Sequence, residues 1–226
     1  MKAVQILQMI QISDSLFPIG AFTLSNGLET FIEKGIVADE KDLYEYISSY
    51  MEIFPYNDLA AMMLAYEYAD DHEYIRELDN LMFVSKIPQE IRTGCTKLCN
   101  RFLKIWNQIR EYPKILSYDK EIKEKNCYGI HAIAVGLYAK EIGLTKKEAA
   151  MIYSYSQISG IITNAVKMVP LSQITGQRIL NDSLNKIKEC VKIAKKLSLE
   201  DLGVGGTAFD IAAMNHETLY SRLYMS

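Results

Sequence analysis

Wherever apolar residues cluster in this 226-residue chain they recur every three or four positions and never alternate, a pattern that asks for helices and offers no strand. Val4, Leu7 and Ile10 set the spacing of a first helix, which ends before Ser13 and Asp14 as Phe17-Pro18-Ile19-Gly20 breaks it. A second, over 22–34, stops at Gly35, the residue best suited to a left-handed C-cap. Asp39 and Asp42 open a third with Leu43, Tyr46, Ile47 and Tyr50 on one face, and Pro55 ends it. Residues 57–85 form two helices broken near Asp70 and Asp71. A long helix runs from Pro88 to about 110, ahead of Pro113, and another covers 128–142 and closes at Gly143. Thr145 and Glu148 make a capping box that opens the least polar helix, reaching 168 before Pro170. Ser172 caps the next, through 197, and after Gly203-Val204-Gly205-Gly206 a last helix spans 208–219.

No repeat and no Ser-, Pro- or Gly-rich linker divides the chain, so we expect one all-α domain over 1–226: a single-domain helical bundle of roughly 8–10 helices with a tail at about 220–226. A chain of this length buries roughly 70% of its unfolded surface and needs no staples. With 25 Lys+Arg against 28 Asp+Glu it lacks the basic excess that nucleic acid demands as a partner. No stretch of about 18 apolar residues runs free of charge or strong polarity, so no membrane partner is expected. Gln5, Gln8 and Gln11 interrupt the apolar N-terminus, which is therefore no secretory signal; a cytoplasmic location with reduced Cys95, Cys99, Cys127 and Cys190 is expected.

Specific chemistry is harder to find. The glycine-rich loop at 203–206 lacks the Gly-Lys-Ser/Thr ending of a phosphate cradle and reads as a hinge. Cys95 and Cys99 lie four apart on a helix and could face one metal, but no second ligand pair accompanies them, and core thiols are the simpler account. His131, in the apolar run 130–135, reads as a satisfied core histidine, and His72 belongs to an acidic solvated face. Tyr74 stands where an isoprenoid synthase would need a third aspartate, and Tyr220 where a zinc protease helix would need its second histidine. No nucleophile elbow is present. We expect no cofactor, no catalytic residue and no resident metal.

Two features point to contacts with other chains. Within the helix 145–168, Tyr155, Ser156, Gln157 and Gly160, among other small or polar residues, suit either a homodimer interface or close packing in the core. Tyr220, Arg222, Leu223 and Tyr224 follow the last helix with nothing left to cover them, as a docking tail would, or a tail folded back on its own domain.

Three stretches together resemble the urease accessory protein F family (UreF): LQMIQISDSLFPIGAFTLSNGLE at 7–29, AVKMVPLSQITGQRIL at 165–180 and DIAAMNHETLYSRLYMS at 210–226, with weaker echoes at 90–98 and 131–136. Lys167, Ser172, Met225 and Ala21 depart from the family's usual arginine, glycine, arginine and glycine; lysine at 167 offers a point charge in place of a forked guanidinium. The resemblance implies an all-α homodimer without activity of its own. It would bind accessory protein D (also called H), recruit and regulate the GTPase accessory protein G, and serve nickel insertion into apo-urease. It implies partner-binding roles for Phe17, Pro18, Phe22, Glu29, Lys167, Pro170, Gln173, Arg178, His216, Glu217, Tyr220, Arg222 and Tyr224. A reading of another class is a helical enzyme with an internal small-molecule pocket, using Cys99, His131 or His216; a purified protein that binds a small ligand unaided would favour it.

Overall fold

The computed structural model describes residues 2–21, 26–220 and 223, and among them every regular element is helical. The order is α1 (Lys2–Ser13), α2 (Leu28–Glu33), α3 (Glu40–Ile53), α4 (Asp58–Glu67), α5 (His72–Ser85), α6 (Gln89–Ile109), α7 (Pro113–Lys123), α8 (His131–Glu141), α9 (Lys146–Met168), α10 (Gln173–Ala194) and α11 (Thr207–His216). Four starts are set by side-chain caps that satisfy orphan backbone N–H groups. Asp39 accepts from the Asp42 N–H at 2.9 Å, Asp71 from Tyr74 at 3.0 Å, Thr145 from Glu148 at 3.3 Å and Ser172 from Thr175 at 3.0 Å.

Two helix starts and one whole helix differ from the sequence expectation, each for a local reason, and α10 and α11 end earlier than expected, at Ala194 and His216. Helix α2 begins at Leu28, because Asn26 and Gly27 take positive φ; the expected start at Phe22 lies outside the described residues. Helix α8 begins at His131 and not at 128. The buried Asp79 carboxylate accepts from the backbone N–H groups of Tyr128 at 2.5 Å and Gly129 at 3.0 Å, and the Tyr118 hydroxyl accepts from Ile130 at 2.8 Å. These bonds hold 128–130 out of the helix, with Gly129 at φ +94°. Helix α7 was not expected at all: Pro113, which limits α6, also occupies the first turn of α7, where its missing N–H costs nothing.

The two central helices are α4 and α8. Every residue from Leu59 to Ala65 and from His131 to Ala139 is buried, so neither helix has a polar face. Gly136 lets them touch, since a Cβ there would collide with the Met62 carbonyl oxygen. Helices α9 and α10 form a hairpin packed against this pair and against α3, while α6 and α7 close the other side. Helix α9, read from sequence as the most apolar, instead keeps one strip out of the core. That strip and α1, α2 and α11 frame the site described next.

Candidate functional site

Glu29 and Thr30 come from the short α2, both buried although polar. Their partners explain the burial. Thr30 Oγ1 donates to the Ala212 carbonyl at 2.8 Å, and Glu29 Oε2 meets His216 Nε2 at 2.9 Å, so α2 is bonded to α11 at two points. The other ring nitrogen, Nδ1, lies 2.7 Å from Glu90 Oε2 at the start of α6. His216 is fully buried between two carboxylates on two helices. The remaining oxygen of Glu29 accepts the backbone N–H of Leu223 at 2.7 Å. One carboxylate therefore ties both the last helix and the tail to α2.

Beside this cluster a cavity of about 620 Å³ opens between the end of α1, the turn at 17–21, the outer strip of α9 and the segment 204–213. Phe17 forms part of its wall, buried against Phe102 and Trp106 with ring centroids 5.9 and 6.3 Å away. The following turn is held by Arg101, whose Nη1 donates to the Ile19 carbonyl at 2.9 Å; Gly20, at φ +80°, leaves room for that guanidinium. In the depth of the cavity the buried Lys86 ammonium donates to both oxygens of Asp58, at 2.9 and 3.0 Å. Burial lowers the Lys86 pKa, but the charge and hydrogen bond of Asp58, with Cys95 and Tyr50 adding to them, together raise it. Burial pushes the Cys95 thiol up to about 11 against the pull of Lys86, and lowers the His131 imidazole to about 4, so both stay neutral at pH 7. Desolvation also raises Asp210, with Lys86 opposing. His131 Nε2 has no hydrogen-bond partner among the described residues, contrary to the expected satisfied core histidine.

The positions expected from sequence thus fall into groups. Phe17, Lys167, Tyr155, Ser156, Gln157 and Gly160 all line the cavity. Ser156 Oγ donates to the Ser13 carbonyl at 2.7 Å and so ties α9 to the end of α1, whereas open space lies over Gly160. Pro18, Pro170, Gln173, Glu217 and Tyr220 are exposed. Arg178 is exposed and paired with Glu40 at 2.8 Å. Glu29 and His216 are buried and meet each other. Phe22, Arg222 and Tyr224 lie outside the described residues. Cys99 is fully buried and its thiol is raised well above the ordinary range, as a core thiol is. Sequence reading missed Asp58, Lys86, Glu90 and Arg101 as site residues. Each lies near a helix end or on an amphipathic face with nothing local to single it out, and only the packing brings them together.

These features define a class: among the described residues, a wholly helical fold around a recess lined by a paired charge, a protonated thiol and aromatic side chains. Comparison with known proteins gives the class its family. Residues 37–184 match the family model described as UreF. The chain is 37% identical over 225 residues to the urease accessory protein UreF of Actinobacillus pleuropneumoniae serotype 5b (strain L20), covering 98% of this chain and 99% of that one. It is 37% identical over 221 residues to the UreF of Haemophilus influenzae (strain PittGG), covering 96% and 94%, and 35% identical over 226 residues to that of Bacillus sp. (strain TB-90), covering 98% and 99%. The chain belongs to the UreF family of urease accessory proteins.

Proposed function

We propose that this protein is a homodimeric, non-catalytic component of the complex that inserts nickel into apo-urease. In this reading it binds accessory protein D/H and recruits and regulates the GTPase accessory protein G. The observation that carries the reading is similarity over nearly the whole length to proteins named as urease accessory proteins. The turn at 17–22 and the bend at 167–173 are the docking features for the GTPase. Phe17 packing and the Arg101 bond hold the first, and Pro170 stiffens the second, so little order is lost when a partner binds. If the GTPase binds this platform with different affinity in its two nucleotide states, hydrolysis is coupled to assembly by that difference alone. The tail is the anchor for D/H, presented by α11 and the Glu29 bond.

The test is co-purification with tagged D/H and G, followed by urease activation in a strain lacking the native protein. Failure of this chain to restore activation there, with all partners expressed, would defeat the proposal. The enzyme alternative is narrowed by position: of Cys99, His131 and His216, only His131 lines the cavity.

A further inference from the structure

The depth of the cavity is left unused by the docking features proposed above. Asp14 and Lys167 line its exposed side, whereas Tyr50, Lys86, Cys95, His131 and Tyr153 close it from within, each with 9% or less of its surface exposed. At about 620 Å³ it has the size of a small-molecule site, and Tyr50, Phe54 and Tyr153 stack in series along it, with ring centroids 5.8 and 6.4 Å apart.

At pH 7 this depth carries no net charge. Asp58 cancels Lys86, and burial keeps the Cys95 thiol protonated and the His131 imidazole neutral. Burial also holds Tyr50 and Tyr153 in their phenol forms, with the charge of Asp58 adding to the rise. Proton donors are therefore in excess: two phenols and the third N–H of Lys86, the other two being given to Asp58. His131 sharpens the point. Its ring stands edge-on to Phe102, 5.6 Å between centroids, and its Nε2 has no hydrogen-bond partner among the described residues. A buried ring nitrogen without a partner destabilises the fold until something supplies one.

We propose that the cavity binds an uncharged, flat, largely apolar molecule carrying one carbonyl group, whose oxygen accepts from His131 Nε2–H and from the donors around Lys86. Charge decides against other classes. A cation would be repelled by Lys86 and an anion by Asp58, and either would leave water for a site whose counter-charge is already taken. Among the described residues no three His, Cys, Asp or Glu side chains come together as a metal would require. A carbonyl meets the donors without bringing a charge. With its thiol held protonated, the site binds and does not react. The accessory role stands whether or not the cavity is filled.

The probe is Prodan, an uncharged naphthyl ketone whose emission moves to the blue on leaving water. Titrated into the purified full chain, it should bind at one site per chain with blue-shifted emission. His131→Leu should weaken that binding about tenfold, the worth of one buried hydrogen bond, while an analogue with propyl in place of propionyl stays within about twofold of its wild-type affinity. Gly160 lines the cavity with nothing within 4 Å of an added Cβ, so Gly160→Trp grows into the space and should abolish binding with an unchanged circular dichroism spectrum. Prodan that fails to bind the wild-type chain, or binds Gly160→Trp as it binds wild type, overturns the site. Equal losses of ketone and propyl analogue in His131→Leu, or 6-dimethylamino-2-naphthoate binding as tightly as Prodan, overturn the carbonyl assignment.

Discussion

At the scale of single residues, two buried groups govern the region around the cavity. Asp58, itself partly exposed, neutralises the buried Lys86, so removing the carboxylate leaves a buried charge uncompensated, and removing the ammonium leaves a half-buried one. Lys86→Met should cost about 3 kcal/mol in urea unfolding, and adding Asp58→Asn should recover a large part of it. Equal losses in the single and double variants would mean that the pair is not coupled. His131 makes a prediction in pH. An unfolded histidine titrates near 6.5, whereas burial lowers the folded one to about 4. Between these values the unfolded chain binds a proton that the folded chain refuses, so stability present above pH 6.5 is lost as pH falls, by roughly 3 kcal/mol at pH 4. His131→Gln should flatten that slope in urea midpoints taken at pH 7, 5.5 and 4.5; a variant with the wild-type slope would assign the titration to other groups.

At the scale of elements, the spacing of α4 and α8 and the caps of the outer helices carry different loads. Gly136→Ala puts a methyl against the Met62 carbonyl, and both helices are buried on every side, so neither can yield outward. Overpacking of this kind costs about 1–3 kcal/mol, and the backbone contact places this site at the upper end. Thr145→Ala removes only the cap of α9 and should cost about 1 kcal/mol. The order of the two losses is checked by chemical denaturation of both variants. A larger loss at Thr145 would show that α4 and α8 have slack the packing does not suggest.

At the scale of the whole molecule, the question is whether the tail belongs to the fold or to the assembly. The described contact is one bond from Leu223 to Glu29, and both Tyr220 and Leu223 are largely exposed. Deleting residues 221–226 removes this bond to a carboxylate, which by itself is worth about 1.5–3 kcal/mol. Co-purification with D/H should be lost. Melting temperature and capture, measured on the same truncated protein, decide it. A large drop in melting, with capture lost only in proportion, would make the tail part of the domain.

Helix content was legible in the chain because apolar spacing and caps are local: Asp39, Thr145 and Ser172 each mark a start that the structure keeps. The family was legible because ordered stretches of sequence carry it, and the matches to known relatives agree. The non-helical segment at 128–130 was not legible, since the carboxylate that holds it, Asp79, lies about fifty positions earlier in the chain. Nor was the cavity, whose Lys86, Asp58 and His131 come from separate elements. Helix α1 shows the same division. Its periodicity announced a helix but not which side would face inward, because a helix apolar on two sides is oriented only by what packs against it. Local pattern therefore determined that this chain is helical and roughly where each helix starts. Burial, which depends on every other element at once, decided which faces form the core, which polar groups meet across helices and which apolar stripe stays exposed.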